Sequence, residues 1–368
     1  MENYFIKTST FLEIESPYYL GINIENEFIN KIREYKFDVL YIVIDKNVYD
    51  IYGKEFVATL NNIKFSLIKI DGKEYNKTML ILNELCETLI SKGITKSSII
   101  VAFGGGVIGN IVGLAASLIY RGVRYIEIPT TFMGQTDSTL SNKQAVNGRN
   151  SKNLFGCYYA PMFIWSDIKY ILSEDNTRIK SGLVETVKNG LIHNKAVLKH
   201  VEEYMQTDLK SPIALYNIIY QSIQSKIEIL QIDPTEKGYA MILEYGHTFG
   251  HSIEKLCKGN LSHGEAVAIG MTIAAHLSYN IGVMSSETLN LHHYYLNKIL
   301  GFDLNLPSSI STKELIDTME YDNKKNSEGV RFVILEELNR IYNPEGDYMV
   351  KIEKDYVLKT LNSYTDKS

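Results

Sequence analysis

Short, continuous apolar runs alternate with helix-like patterns along the first half of the chain. Residues 39–44 are uninterrupted apolar positions that end at Asp45, which is typical of a strand buried on both faces of a parallel sheet. Residues 78–92 instead show helical apolar spacing that stops at Gly93. Three further runs predict strands: 63–70, 98–103 and 125–128. This succession of strands and helices predicts a doubly wound, parallel α/β sheet.

After about residue 173 the spacing of apolar positions becomes helical, and only 330–335 still predicts a strand. Five segments share this helical pattern: 181–193, 214–230, 247–256, 264–280 and 286–300. We therefore predict two domains. An α/β domain covers residues 1–173, and a mainly α-helical domain covers residues 174–368.

Composition and charge narrow the class of protein. The 368 residues are 45% hydrophobic and 22% charged with a net charge of −5, which excludes a wholly disordered chain and gives no general attraction to nucleic acid or anionic membranes. The cysteines at 86, 157 and 257 are far apart, which argues against a disulfide framework. No segment predicts a signal peptide or a transmembrane span, so we expect a cytoplasmic protein without nucleic-acid or membrane partners.

A glycine-rich turn follows the strand at 98–103 and opens a helix. Glycines at 104, 105, 106 and 109, followed by Asn110, let the backbone approach a pyrophosphate at a helix N-terminus. The spacing is GGGxxG rather than GxGxxG, so a plain tight turn remains the alternative. Asp45 also ends a strand, where it can take ribose hydroxyls. Glu74 and Lys77 lie three residues apart at a helix start, either as ligand contacts or as an exposed capping pair.

Three of the eight histidines lie close together in the sequence. His247 and His251 are four residues apart and share one helical face, and His263 opens the next helix. Glu185, within helical sequence, can complete a set of two histidines and one glutamate, which leaves an open position on a catalytic divalent metal. A helix with two hydrogen-bonded histidines is the alternative.

Polar and basic residues are candidates for a phosphorylated, polyhydroxylated ligand. Such a ligand needs cations for phosphate and carboxylates or amides for hydroxyls. Lys143, Lys152 and Asn153 lie in polar loop sequence next to apolar strands, although ordinary solvated lysines are the alternative for each. The other candidates are Arg121, Asp137, Lys188, Lys226 and Lys324.

Taken together, these segments resemble the dehydroquinate synthase-like sugar phosphate cyclases over roughly residues 40–335. The motifs that carry the resemblance are 104–109, 121–122, 128–131, 137–138, Lys143, 152–153, 182–188, 246–254 and 263–265. The resemblance implies an NAD-binding α/β domain, a helical metal-binding domain and an active site between them. It further implies one divalent metal, cobalt or zinc, on Glu185, His247 and His263, with His251 facing the substrate instead.

Three differences from dehydroquinate synthases indicate which branch of this family the chain resembles. Dehydroquinate synthases carry aspartate where this chain has Asn110, arginine where it has Ala240 and asparagine where it has Glu244. Without that arginine, and with an added carboxylate, the pocket is poor for a substrate that bears its own carboxylate. The pattern resembles the branch that converts glucose 6-phosphate to 2-deoxy-scyllo-inosose plus phosphate for aminocyclitol antibiotics.

The resemblance also implies a mechanism and a role for each site residue. Transient oxidation by NAD precedes phosphate elimination, reduction and an intramolecular aldol reaction, with no net redox change. Lys143 and Glu244 transfer protons, Asp137 and Lys188 position hydroxyls, and Arg121 reaches the neighbouring subunit of a homodimer. The substrate contacts are Lys152, Asn153, His251, Lys226 and Lys324. The NAD contacts are Asp45, Glu74, Lys77, Gly104, Gly105, Gly106, Asn110, Thr130 and Thr131.

Three other functions remain open at this point. A 3-dehydroquinate synthase or another sugar phosphate cyclase would act on a different sugar phosphate. A metal-dependent NAD alcohol dehydrogenase would keep the glycine turn and the histidines but would produce NADH. A non-catalytic nucleotide- or metal-binding module would need no intact ligand set.

Overall fold

A computed structural model describes residues 4–8, 15–149, 151–320 and 329–365. The chain forms two compact units. The first combines Met1–Glu174 with Lys210–Ile223, and the second combines Asp175–Leu209 with Gln224–Ser368. The single boundary at residues 173/174 stays a prediction, and the return of Lys210–Ile223 to the first unit was not foreseen.

The first unit is built on a seven-stranded sheet. Its strands are β1 (Tyr4–Thr8), β2 (Ser16–Gly21), β3 (Leu40–Asp45), β4 (Phe65–Ile70), β5 (Ile99–Gly104), β6 (Arg124–Pro129) and β9 (Ile164–Asp167). Strands β7 (Lys143–Val146) and β8 (Phe155–Tyr158) form a separate hairpin between β6 and β9 in the sequence. The order is β1-β2-β9-β6-β5-β3-β4. All neighbours run parallel except β1 and β2, so the carboxyl ends of β3, β5 and β6 share one edge.

Helices cover both faces of this sheet. They are α1 (Glu25–Arg33), α2 (Lys46–Val48), α3 (Lys54–Thr59), α4 (Met79–Ser91), α5 (Gly106–Leu118) and α6 (Phe132–Thr136), with a π-helical turn at Tyr49–Gly53. Tyr41 and Val43 of β3 pack into an apolar cluster with α4 and α5. Ile42 and Ile44 pack into the opposite cluster, with α1 and α3. This alternation confirms the doubly wound α/β prediction, because strand side chains point to opposite faces in turn.

The second unit is mainly helical, as predicted. Its helices are α7 (Asn176–Ile192), α8 (Ala196–Met205), the part of α9 (Pro212–Ile232) beyond residue 223, α10 (His247–Leu256), α11 (His263–Asn280), α12 (Ser286–His293), α13 (Thr312–Met319) and α14 (Lys354–Thr365). Two small antiparallel pairs accompany them: β10 (Arg331–Phe332) with β13 (Val350–Lys351), and β11 (Ile334–Glu337) with β12 (Arg340–Tyr342). Among the residues the structure describes, no helix is both long and apolar enough to cross a membrane.

Several predicted elements need correction. The predicted helix 286–300 is α12 followed by a π-helical turn at Tyr294–Ile299, and the predicted strand 330–335 is divided between two separate sheets. The helix predicted from residue 181 begins at Asn176, because the side chain of Asp175 accepts a hydrogen bond from the backbone amide of Thr177. The hairpin of β7 and β8 was missed, since all four residues of β8 are exposed and show no apolar alternation.

Candidate active site

The group predicted to bind metal comes together in the second unit. Glu185 lies in the middle of α7, His247 is the first residue of α10 and His263 is the first residue of α11. One ligand atom from each side chain lies within 4.8 Å of the other two. Oε1 of Glu185 is 3.5 Å from Nε2 of His247 and 3.4 Å from Nε2 of His263.

These spacings fit a divalent cation. Two ligand atoms that each lie about 2.0–2.1 Å from a tetrahedral ion are about 3.3–3.4 Å apart. Oε1 of Glu185 is buried and makes no hydrogen bond to any described residue. The protonated ring of His263 places a positive charge 3.4 Å from this oxygen, and a divalent cation held by the three side chains would take its place. One carboxylate and two imidazoles form a donor set that accepts zinc or cobalt and leaves a coordination position open.

Glycines allow the three supporting helices to approach closely. A Cβ atom at Gly264 would lie 2.3 Å from the carbonyl oxygen of Ser181, so only glycine lets the start of α11 lie against α7. Gly246 has a φ of +76° and immediately precedes His247, and its position leaves no room for a side chain beside Met271. These close approaches bring the first residues of α10 and α11 up to the carboxylate of α7.

Neighbouring groups orient each ligand. Nζ of Lys188 lies 2.5 Å from Oε2 of Glu185, one turn further along α7. Nδ1 of His263 is 3.3 Å from Oε2 of Glu254, and Nδ1 of His247 is 3.1 Å from the carbonyl oxygen of Tyr245. In both histidines Nε2 is therefore the nitrogen directed at Glu185, which is the arrangement of a metal-ligating imidazole. The predicted role of Lys188 in positioning hydroxyls stays a prediction beside this observed contact.

The charges of the group suit a metal site. Burial raises the pKa of Glu185, but the Lys188 ammonium and the two imidazoles outweigh it and hold that pKa well below its usual range. Burial, together with Lys188, holds the pKa of His247 well below its ordinary value, so this ring is neutral. Burial also lowers the pKa of His263, but the carboxylates of Glu185 and Glu254 outweigh it and raise that pKa to about 9. A metal ion must therefore displace a proton from His263.

The other predicted site residues of this unit differ in position and in burial. His251 is one turn beyond His247, and their ring centroids are 5.1 Å apart, but His251 is not part of the ligand group that the described side chains form. Glu244 is half-buried at the end of the 3₁₀ turn Tyr239–Glu244. Ala240 lies fully buried in the same turn. Lys226 is buried in α9, and Lys324 lies outside the described residues.

The glycine turn at residues 104–106 of the first unit, which we call the glycine cradle, joins a strand to the N-terminus of a helix. Gly104 ends β5, Gly105 is the N-cap of α5, and α5 begins at Gly106. A Cβ atom at Gly105 would lie 3.2 Å from Cγ2 of Thr131, and one at Gly106 would lie 3.1 Å from Oγ of Ser138. Because Gly105 has no side chain to cap α5, the first amides of the helix suit an anionic ligand.

Three further predicted NAD contacts surround this turn. The backbone amide of Thr130 donates to the carbonyl of Gly104 at 3.0 Å. Oγ1 of Thr131 accepts from the amide of Gly134 and so caps α6. Asn110 is half-buried, one turn into α5.

Asp45 ends β3 as predicted, but its carboxylate already has backbone donors. Oδ1 accepts from the amides of Asn47 and Val48, and Oδ2 accepts from the amide of Gly72 at 2.8 Å. These bonds make it the N-cap of α2 and tie the end of β3 to the loop after β4. Contact between Asp45 and a ribose stays a prediction. The ribose hydroxyls would have to donate to the lone pairs that the backbone amides leave unused.

Glu74 and Lys77 belong to a polar network with residues that were predicted to hold phosphate. Nζ of Lys77 donates to Oδ1 of Asn153 at 2.5 Å. The side-chain amide of Asn147 donates to Glu74 at 2.8 Å and accepts from the amide of Asn153 at 2.9 Å, while Nζ of Lys152 is 3.9 Å from Glu74. Burial lowers the pKa of Lys77 to about 8. The alternative of an exposed capping pair is therefore wrong for Lys77, which is buried.

The other predicted residues of the first unit lie on different elements. Lys143 was predicted in a loop but is the first residue of β7, because residues 143–146 pair with β8. Asp137 is half-buried at the end of α6, directly before Ser138, whose side chain lies beside Gly106. Arg121 is exposed and has a φ of +63°, within a turn where Tyr120 and Gly122 also have positive φ values.

Two kinds of functional neighbour were missed in the sequence. Glu254 lies seven residues after His247 and three after His251, on one face of α10, and this helical spacing is a signal that would have found it. Tyr245 and His292 are 47 residues apart and share a hydrogen bond of 2.8 Å, for which the sequence carries no local signal.

Comparison with known proteins covers both units. Residues 67–181 match the family of 3-dehydroquinate synthase N-terminal domains, and residues 182–325 match that of 3-dehydroquinate synthase C-terminal domains. The chain is 33% identical over 360 residues to the 2-deoxy-scyllo-inosose synthase of Streptomyces kanamyceticus, covering 96% of this chain and 92% of that protein. It is also 33% identical over 352 residues to the 3-dehydroquinate synthase of Dictyoglomus thermophilum, covering 94% and 95%. A crystal structure of 2-deoxy-scyllo-inosose synthase complexed with carbaglucose-6-phosphate, NAD⁺ and Co²⁺ matches with a TM-score of 0.88 at 28% identity, covering 98% of this chain and 100% of that one.

Proposed function

This chain belongs to the 3-dehydroquinate synthase family, and we propose that within this family it acts as a 2-deoxy-scyllo-inosose synthase. The reaction converts glucose 6-phosphate into the carbocycle and inorganic phosphate without net oxidation or reduction, as a step of aminocyclitol antibiotic biosynthesis. The observation that carries the proposal is the pair Ala240 and Glu244, in the turn that leads directly to His247.

Ala240 and Glu244 disfavour the binding of a substrate that has its own carboxylate. A guanidinium at position 240 would offer a bidentate partner, whereas the methyl group of Ala240 is fully buried and offers none. Glu244 lies three residues before His247 and adds a negative charge instead. A sugar whose only anionic group is phosphate avoids both penalties. The relative from Streptomyces kanamyceticus and the crystal structure with carbaglucose-6-phosphate agree with this choice.

The donor sets described above fit the two cofactors of such a reaction. When bound, a divalent metal supplies Lewis acidity at a substrate oxygen. When bound, NAD supplies a reversible hydride acceptor, which accounts for a reaction with no net redox change. Glu185, His247 and His263 would hold the metal, and the crystal structure with bound NAD⁺ and Co²⁺ supports this pairing of cofactors. The turn at residues 104–106, with Asp45, Glu74, Lys77, Asn110, Thr130 and Thr131, would hold NAD.

The chain's own residues then manage protons and orientation. Glu244 accepts and returns protons at the reacting carbons, and Lys143 is the second proton-transfer group. Asp137 and Lys188 orient sugar hydroxyls, and the contact of Lys188 with Glu185 keeps its ammonium beside the metal ligands. The phosphate contacts that we propose are Lys152, Asn153, His251 and Lys324, and Lys226 is a further substrate contact.

We also propose a cytoplasmic homodimer in which Arg121 reaches the site of the neighbouring subunit. The supporting observation is that large apolar side chains of the first unit are exposed on either side of Arg121 in the sequence, at Leu118, Tyr120, Phe155 and Tyr158. Exposed large apolar side chains are more frequent at surfaces that bind another protein. The three cysteines form no disulfide, which suits a reducing compartment.

One assay tests the proposed reaction. The protein is incubated with glucose 6-phosphate, NAD⁺ and Co²⁺, while inorganic phosphate and NADH are followed together. We expect stoichiometric release of phosphate without accumulation of NADH. Sustained NADH formation would instead identify an alcohol dehydrogenase. Turnover of the seven-carbon keto acid phosphate of the shikimate route, in place of glucose 6-phosphate, would identify a 3-dehydroquinate synthase, the activity of the relative from Dictyoglomus thermophilum.

A further inference from the structure

Hydrogen bonds on the side chain and on the backbone carbonyl of Tyr245 connect α12 with the metal-ligand group. Nδ1 of His292 lies 2.8 Å from the carbonyl oxygen of Thr288, and Nε2 of His292 lies 2.8 Å from the hydroxyl of Tyr245. The carbonyl oxygen of Tyr245 then lies 3.1 Å from Nδ1 of His247. All four residues belong to the second unit, and His292 and Tyr245 have no exposed surface.

The chemistry of the partners fixes the direction of every bond. A backbone carbonyl only accepts, so Nδ1 of His292 carries a proton and donates to Thr288. Nε2 of the same neutral ring is then an acceptor, and the hydroxyl of Tyr245 donates to it. At the other end, Nδ1 of His247 donates to the Tyr245 carbonyl, which leaves the lone pair of its Nε2 directed at Glu185. Burial lowers the pKa of His292 to about 4, so the ring keeps its acceptor nitrogen at neutral pH.

Tyr245 connects His292 with the metal-ligand group. It stands between Glu244, at the end of the 3₁₀ turn, and Gly246, whose left-handed conformation turns the backbone into α10. A side chain held at its hydroxyl by α12 restrains the carbonyl that orients His247. The same restraint applies to the preceding residue, Glu244.

We propose that His292 is a positioning residue for the metal centre, which acts through Tyr245 to hold His247 in its ligating tautomer and orientation. This inference rests on the proposed metal site of Glu185, His247 and His263. His292 is fully buried, and its hydrogen-bond partners are Thr288 and Tyr245, so among the described residues it bonds neither a metal ligand nor a residue assigned to substrate.

Binding of Co²⁺ alone, without NAD or substrate, provides the test. The metal is titrated into the apoprotein while the visible d–d absorption reports the geometry of its ligands. His292→Phe and Tyr245→Phe should each weaken Co²⁺ binding by about tenfold and alter the d–d bands, at the low end of the loss that is typical for partners of metal ligands. The double variant should lose no more than either single variant, because both remove one bond. His292→Gln should restore most of the affinity, since its amide oxygen can accept from Tyr245.

His293→Phe is the matched control, because it makes the same change one residue further along α12, where His293 contacts His276 instead. It should leave Co²⁺ affinity and the d–d bands unchanged. If His292→Phe and Tyr245→Phe are folded and bind Co²⁺ with parental affinity and spectrum, the positioning role is wrong. If the parent protein itself binds no Co²⁺, or if His247→Ala binds it as well as the parent, the metal centre is wrong and this inference falls with it.

Discussion

The buried side chain of Glu127 allows a test of how a buried carboxyl group affects the stability of the protein at different pH values. It lies in β6 between β5 and β9, and its side chain is buried. A Cβ atom on Gly109 would lie 2.0 Å from Oε1 of Glu127, so this carboxyl packs directly against the helix that follows the glycine cradle. Oε2 makes no hydrogen bond within the described part of the chain. Burial raises the pKa of Glu127 to about 8.

A raised carboxyl pKa destabilises the fold above the pKa of the unfolded chain. Between about pH 4.5 and pH 8 the unfolded state releases this proton while the folded state keeps it, so the free energy of unfolding falls as pH rises. At about 1.36 kcal/mol per pKa unit, the penalty is about 1 kcal/mol at pH 5 and about 3 kcal/mol at pH 7. Glu127→Gln keeps the size of the side chain and removes the titration. We expect the stability difference between this variant and the parent to shift by about 2 kcal/mol in favour of the variant between these two pH values.

Denaturant unfolding at pH 5 and pH 7 measures this shift, and the use of a difference cancels the constant cost of burying an amide. Glu84→Gln, at an exposed position of α4, is the control for the same chemical change at the surface. We expect the control to stay within about 0.5 kcal/mol of the parent at both pH values. A stability difference for Glu127→Gln that is independent of pH, or that shrinks as pH rises, would show that the buried carboxyl is not held in its neutral form.

Three further substitutions test the proposed site. His247→Ala should abolish bound metal and turnover while the circular dichroism of the fold is retained, because it removes one of three ligands; full occupancy by metal analysis would contradict the assignment. Gly105→Asp should abolish NAD binding in a calorimetric titration, since a carboxylate and a Cβ atom would oppose the pyrophosphate; unchanged affinity would place NAD elsewhere. Glu244→Gln should retain metal and NAD but lose most turnover, because an amide cannot transfer a proton; full activity would exclude Glu244 as a proton-transfer residue. With the parent enzyme, kcat/KM should favour glucose 6-phosphate over the seven-carbon keto acid phosphate by about ten- to a hundredfold or more, because a buried and unpaired substrate carboxylate costs about 1–3 kcal/mol.

Local pattern was sufficient for the elements that are buried on both faces or strongly amphipathic. The apolar run at residues 39–44 corresponds to β3 and the helical spacing at 247–256 to α10, because burial on a sheet or along a helix imposes periods that are visible in a few residues. The glycine cradle was visible for a similar reason. It consists of consecutive residues of one turn, so a few adjacent positions in the sequence are enough to identify it.

Contacts between distant segments were outside the reach of such patterns. The exposed strand β8 pairs with β7 without an apolar alternation, and the network of Lys77 with Asn153 joins residues 76 positions apart. The spacing of His247 and His251 favours both as ligands, whereas the close packing of α7 against α11 presents Glu185 to His247 and His263 and leaves His251 aside. The bond from His292 to Tyr245, and the neutral carboxyl of Glu127 against Gly109, likewise exist only once the segments are packed. Spacing within a helix specifies which side chains share a face, but which of them meet a partner depends on where the other helices and strands bring theirs.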